Sequence, residues 1–270
     1  STNLLPRVDV FDSSIAYLRV DRVATGLDGI IAESLKGMMK TNKLQGAVID
    51  LRFAGGDGYE AASSTADLFI GKARPLMNWG KGMTSAVAQP TDFALPVALL
   101  VNDQTSGAAE ALTAVLRDTG TGLVFGSPTA GQAAIPKDFR LSNGQVLRVA
   151  TQAVELGSGA KLSGPVNPDI DIQVSLEEER AYYANAFADL STTNPPTDSE
   201  GTNSVSATNR TSRRNRFNEA DLVREHNLRS RGEGGLAVER PPQAPVVNDP
   251  VLARALDVLK GLAVVRQSKH

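Results

Sequence analysis

Apolar and polar residues change their period along the chain, and the changes mark its elements. Ile15-Ala16-Tyr17-Leu18-Arg19-Val20 alternates as a strand after the turn-like Asp12-Ser13-Ser14. Leu27, Ile30, Ile31, Leu35 and Met38 then recur at helical spacing through Met39. Gly46 to Leu51 is a nearly unbroken apolar run with one Asp, the pattern of a strand covered on both faces. Strand, helix, strand is a parallel crossover unit, because parallel neighbours cannot be joined by a tight turn.

The pattern continues with a second helix over Glu60 to Ile70, its apolar face formed by Ala61, Ala62, Thr65, Leu68 and Phe69 and its C-cap at Gly71. Arg74-Pro75-Leu76 begins an extended piece, and Trp79 to Ala88 reads as a loop or short hairpin. Val97 to Val101, bounded by Pro96 and Asn102-Asp103, is a buried strand. From Ala108 the positions Ala108, Leu112, Val115 and Leu116 form a helix that stops at Gly120, and Leu123 to Phe125 starts another strand. The turn residues Thr105 to Ala109 therefore sit where a helix N-terminus presents free N–H groups, a corner suited to a nucleophile or an anion. Ser106 reads there as the N-cap.

Further on, Phe139-Arg140-Leu141 and Gln145 to Val149 flank Ser142-Asn143-Gly144, a strong hairpin signal. Leu176 to Leu190 reads as a helix with Tyr182, Tyr183, Ala186, Phe187 and Leu190 on or near one face. Ser191 to Arg216 is rich in Ser, Thr, Asn and Pro, too poor in large apolar residues to hold a packed structure. It carries a basic cluster, Arg210, Arg213, Arg214 and Arg216, and an N-glycosylation tripeptide at Asn209. Gly232 to Val247 is a second linker stretch, after which Asp249 caps and Pro250 opens a last helix that should dock on the core through Val251, Leu252, Ala255, Leu256, Val258 and Leu259. The expected organisation is a core over 1–190, a flexible linker over 191–247 with a short motif near 217–222, and a docking helix over 248–270.

Composition narrows the chemistry. Aromatics are 5% of the chain against 41% hydrophobic residues, so the core must be built from Val, Leu, Ile and Ala. A formal net charge of −2 gives no reason to expect nucleic acid or an anionic membrane as partner. With no cysteine and two distant histidines, His226 and His270, neither a metal site nor a cofactor is expected. No apolar run approaches the length of an integral membrane segment. No signal peptide is recognisable, and the first residue is Ser1, which reads as a processed or trimmed N-terminus.

Three runs carry a specific resemblance. Thr105-Ser106-Gly107-Ala108-Ala109-Glu110, Asp118-Thr119-Gly120 and Gly126-Ser127-Pro128-Thr129-Ala130-Gly131-Gln132 are similar, without a gap, to the core of the carboxyl-terminal processing peptidases, or tail-specific proteases, serine peptidases that use a Ser/Lys pair. Tyr17 to Val20 resembles that family's opening strand, Asp50-Leu51-Arg52-Phe53-Ala54-Gly55-Gly56 its Asp-Leu-Arg-x-Asn-x-Gly-Gly loop, and the region around Asn167-Pro168-Asp169-Ile170 its closing Pro-Asp-Ile. Phe217 to Leu222 and Asp249 to Lys260 are similar to its terminal motif and helix. The resemblance implies a crotonase/ClpP-like α/β core of crossover units on a mainly parallel sheet, with a C-terminal linker and docking helix. The peptide-binding PDZ module usual in the family finds no room in this sequence.

The same alignment sets the family's nucleophilic serine on Gly107, its general-base lysine on Gln132, 25 residues further on, and a lysine-orienting Gln on Pro136. Glycine has no side-chain oxygen to attack a carbonyl, and an amide cannot take a proton near neutral pH. The oxyanion-hole donors would come from Gly56 and Ala108, yet Ala54 replaces the loop's Asn and Asp57 one of its glycines, and a carboxylate there opposes the charge the hole stabilises. Ser106 is the fallback nucleophile, but one residue of shift turns it by about 100° around the helix axis, and the nearest downstream basic residue is Lys137.

Three readings follow. The first is a degenerate peptidase that binds a peptide, an unstructured protein C-terminus or a protein partner. The second is an active serine hydrolase using Ser106. The third is a structural or assembly domain, with a homo-oligomer possible. The family implies an extracytoplasmic location. Gly107 and Gln132 should be neighbours across an empty notch, and Gly107→Ser with Gln132→Lys should restore the geometry of a dyad.

Overall fold

A computed structural model of the chain describes residues 3–87, 93, 95–190 and 246–268. The expectations for the linker, its basic cluster, the Asn209 tripeptide and the motif near 217–222 lie outside these residues.

The short apolar runs line up side by side. Strand β1 (Arg7–Phe11) pairs antiparallel with β2 (Ile15–Arg19), and β3 (Gly46–Asp50), β6 (Val97–Val101), β7 (Gly122–Gly126) and β11 (Ile170–Asp171) follow in parallel, in the order β1-β2-β3-β6-β7-β11. Helices α1 (Leu27–Met39), α2 (Tyr59–Asp67) and α3 (Ala108–Asp118) form the crossovers. They share one core with Leu18, Ile49, Leu99, Val101 and Val124.

Residues of opposite parity on the same strands, Ile15, Tyr17, Val48, Ala98, Leu100 and Phe125, form a second core with α5 (Pro250–Gln267). Every position of β2 is consequently buried, although its alternation alone suggests one wet face. The sequence signals at the start of α5 are realised: Asp249 Oδ1 accepts from the N–H groups of Val251 and Leu252 at 3.1 Å each, and Pro250 opens the helix. Gly46 lets α5 approach, because a Cβ there would stand 3.2 Å from Leu259 Cδ2.

A second sheet runs β10 (Lys161–Leu162), β9 (Val146–Leu156), β4 (Arg74–Asn78), β5 (Met83–Ala86), so the Trp79 region is a hairpin. Strand β8 (Ala134–Arg140) pairs with β9 through the expected Asn143-Gly144 turn. Two helix ends differ from the sequence expectation. The second helix ends at Asp67, with Leu68 rather than Gly71 as its C-cap. Helix α4 (Leu176–Ala184) stops because Asn185 is extended (φ −145°, ψ 102°), which lets Ala186 drop into the second core and frees the Asn248 and Asp249 N–H groups to donate to its carbonyl.

Candidate active site

The turn from β6 into α3 is built by side chains that bind backbone. The Asn102 N–H donates to Thr105 Oγ1 (3.0 Å), and that hydroxyl donates to the Leu51 carbonyl (2.9 Å). Asn102 Oδ1 accepts from the N–H groups of Phe53 (3.0 Å) and Gln104 (3.1 Å). The β6–α3 turn is thereby tied to the β3–α2 loop, the two segments expected to carry the chemistry.

Gly107 is the N-cap of α3, at φ 61° and ψ −122°, a conformation costly for any residue with a Cβ. Ser106, read as the cap from sequence, caps nothing. It lies one residue outside the helix, and its hydroxyl makes no hydrogen bond among the described residues. Capping is done instead from inside the helix by Glu110, which reaches back to accept from the Gly107 N–H at 3.0 Å.

Glu110 is fully buried, and its carboxylate collects four donors. Oε2 accepts from the N–H groups of Gly107 (3.0 Å) and Gln132 (2.7 Å); Oε1 accepts from the Thr129 hydroxyl and the Gly131 N–H, both at 2.6 Å. The two positions 25 residues apart in sequence thus share one oxygen atom as hydrogen-bond acceptor, and the alignment's pairing of Gly107 with Gln132 is realised as spatial proximity.

The space beside Gly107 is occupied by the β3–α2 loop. The Gly55–Gly56 loop is stitched to its surroundings: Val23 N–H donates to Gly55 O (2.9 Å), Gly58 N–H to Val23 O (3.3 Å), Ser106 N–H to Ala54 O (2.9 Å) and Ala108 N–H to Gly56 O (2.9 Å). Gly56 itself sits at φ +131°, and a Cβ on it would collide with the Val23 carbonyl, so only glycine fits. Two corrections follow. The Ala108 N–H, expected as an oxyanion-hole donor, already donates to the Gly56 carbonyl. A Cβ at position 107 would collide with that same oxygen, so Gly107→Ser cannot regain a dyad while the loop stays in place.

Gln132 is exposed, Gly56, Ser106 and Gly107 are half-buried, and Asp57 is exposed at the rim. Lys137 points along β8, its Nζ 5.6 Å from the Phe139 ring centroid. No base is within hydrogen-bond reach of Ser106 among the described residues, whereas an activated serine needs one. Three cavities of about 350, 390 and 430 Å³ are lined by residues other than Gly56, Gly107 and Gln132.

A second polar cluster, not anticipated from sequence, lies on the α5 side of the same strand ends. Asp50 accepts from Arg52 Nε (3.0 Å) and Nη2 (2.7 Å) and from the Tyr17 hydroxyl (2.7 Å), all of them buried. Arg52 Nη2 also lies 2.8 Å from Asp249 Oδ2, an ion pair without hydrogen-bond alignment, so one guanidinium links β3 to the N-cap of α5. Burial alone would raise the Asp50 carboxyl, but the Arg52 guanidinium holds it below the ordinary carboxylate range. Tyr17 is pushed up by burial and by the Asp50 charge. Tyr183 is pushed up to about 12, by burial first, and its ring stacks 3.8 Å from Arg19 Cζ. Glu179 is raised by burial, partly offset by the Asn102 amide that donates to it at 2.9 Å. The available clue was the lone Asp in an otherwise apolar strand, because a fully buried carboxylate needs a partner.

The peptidase family S41 model matches residues 14–172, more than half of the chain. A carboxy-terminal-processing protease of Bartonella bacilliformis is 25% identical over 182 residues, covering 64% of this chain and 42% of the relative. The chloroplastic carboxyl-terminal-processing peptidase 2 of Arabidopsis thaliana is 28% identical over 185 residues, covering 65% and 35%. The chain thus spans less than half the length of these relatives. Among solved structures, the photosystem II D1 C-terminal processing protease superposes with a TM-score of 0.51 at 24% identity over 61% of this chain and 46% of its own. A peptidase-like protein of Parabacteroides merdae superposes with a TM-score of 0.54 at 18% identity, over 64% and 59%. Both superpositions bear on the fold alone.

Proposed function

The chain belongs to peptidase family S41, and from that membership we propose that it is a catalytically degenerate peptidase, one that holds an extended peptide or a partner's unstructured C-terminus without cutting it. The observation that carries this reading is the Gly56 carbonyl. It fills the space where a side chain on residue 107 would begin and takes up the Ala108 N–H that would otherwise stabilise an oxyanion. The residue types agree, since neither Gly107 nor Gln132 can supply a nucleophile or a base. Binding without chemistry needs a backbone template and a pocket. Strand β8 begins two residues after Gln132 and pairs only with β9 among the described strands, so its other edge can accept a strand.

The relatives are named processing proteases, one of them chloroplastic, which supports a location outside the cytoplasm for this chain. No helix among the described residues is long and apolar enough to cross a membrane.

The test is to incubate the chain with an unstructured polypeptide and, separately, with a fluorophosphonate. Neither cleavage nor covalent labelling is expected, while peptides with a free C-terminus bind measurably. Gly107→Ser with Gln132→Lys should stay inactive and lose about 1–3 kcal/mol of stability from the strained φ and the collision. Cleavage that disappears in Ser106→Ala would replace this reading with an active hydrolase.

A further inference from the structure

Helix α2 carries two stripes. Ala61, Ala62 and Ala66 face the main core. Glu60, Ser63, Ser64 and Asp67, spaced i, i+3, i+4, i+7, form a second stripe that faces the β4–β5 hairpin across a cavity of about 350 Å³. A helix stripe turned toward another element is ordinarily apolar, and this one is polar and acidic. Ser63 and Thr84 satisfy each other across the cavity at 2.8 Å, and Thr84 also donates to the Met77 carbonyl at 2.9 Å. The carboxylates are left with acceptor capacity. Asp67 takes only the Val87 N–H, at 2.9 Å on Oδ1, and Glu60 makes no hydrogen bond among the described residues. Lys81, exposed at the rim, forms an ion pair with neither.

Trp79 lines the same cavity and is 9% exposed. Its indole N–H has no partner among the described residues, and it is not one of the sealed, unpartnered atoms of the interior, so it keeps a donor open to a ligand or to solvent. The site therefore combines surplus carboxylate acceptors, an indole face and one donor seeking a carbonyl. An ionised carboxylate only accepts, so the complement is a cationic group rich in donors. A planar guanidinium meets both demands, stacking on an indole and pairing with carboxylates. A peptide carbonyl beside it would accept from the indole N–H.

We infer that the cavity between α2 and the β4–β5 hairpin binds an arginine side chain carried on an extended polypeptide. The inference stands on the cavity alone and is independent of whether the Gly107 corner is inert.

Trp79 is the chain's single tryptophan, so its fluorescence reports on this cavity and nothing else. The whole chain is titrated with N-acetyl-arginine amide, its lysine counterpart and the isosteric, uncharged citrulline compound. A saturable change is expected with arginine, a weaker one with lysine and none with citrulline. Glu60→Gln with Asp67→Asn should weaken the arginine response about fivefold, as expected for two partly exposed ion pairs. Because Asp67 also holds the Val87 N–H, Glu60→Gln alone serves as the second variant. It alters an exposed side chain and should weaken binding about twofold. An equal response to citrulline, lysine binding as tight as arginine, an arginine response untouched by either variant, or no saturable change would each overturn the inference.

Discussion

Two buried carboxylate clusters occupy the C-terminal ends of the parallel strands, and they are built on opposite principles. Glu110 is surrounded by neutral donors, three of them backbone N–H groups, from segments that lie within 22 residues of it. Asp50 is balanced by the Arg52 cation, which also faces Asp249, a residue that reaches the site only after the chain has left the core and come back. The first arrangement fixes local backbone geometry through the main-chain N–H groups of residues 107, 131 and 132. The second fixes where a remote helix docks. Asn102 ties the β3–α2 loop to α4, holding the Phe53 N–H with its oxygen and Glu179 with its nitrogen. The corner at the start of α3 is thus framed by main-chain donors gathered on one carboxylate, and the docking of α5 by a buried cation.

The largest effect separating the clusters should come from Arg52→Ala. It removes the cation paired with both Asp50 and Asp249 and should cost about 3–5 kcal/mol, read as a shift of the urea midpoint. Glu110→Gln comes next, at about 2–3 kcal/mol, because the amide turns a donor toward groups that are themselves donors. If Glu110→Gln proved the costlier change, the contrast between local and long-range roles would collapse.

The smallest effect is a difference of sign with pH. The Asp50 carboxyl lies low, so its contribution is present above the ordinary carboxylate range and is lost as pH falls through its depressed value. Glu179 lies high, so its contribution is present below the ordinary range and is lost as pH rises through its raised value. Glu179→Gln, which keeps an acceptor for Asn102, should therefore raise the melting temperature at pH 7 and leave it unchanged near pH 4. A gain that is the same at both pH values would show that Glu179 is not held above its ordinary range.

Much of this architecture was legible because period reports burial. Val97 to Val101 and the α1 positions Leu27, Ile31 and Leu35 are buried as their spacing requires, while Ile30, counted with them, is 39% exposed. The resemblance to the processing peptidases also implied that positions 107 and 132 meet. What stayed hidden has no local signature. Gly55-Gly56 announces a backbone free to take positive φ, but not which way the Gly56 carbonyl turns, and that orientation decides whether the Ala108 N–H is available. The pairing of Arg52 with Asp249 spans 197 residues, beyond the reach of any periodicity. Glu110 could have been found, because it stands three residues after the N-cap, where a capping-box acid belongs. The ends of α2 and α4 moved because tertiary demands on Phe69 and Ala186 outweighed helix propensity.

The covering of the second sheet face by α5 has a practical corollary. A gene shortened to end where the family match ends, at residue 172, would leave Ile15, Val48, Ala98, Leu100 and Phe125 wetted on one side. That greasy plane would drive the truncated polypeptide into inclusion bodies, and supplying residues 246–268 as a separate peptide during refolding should recover soluble material.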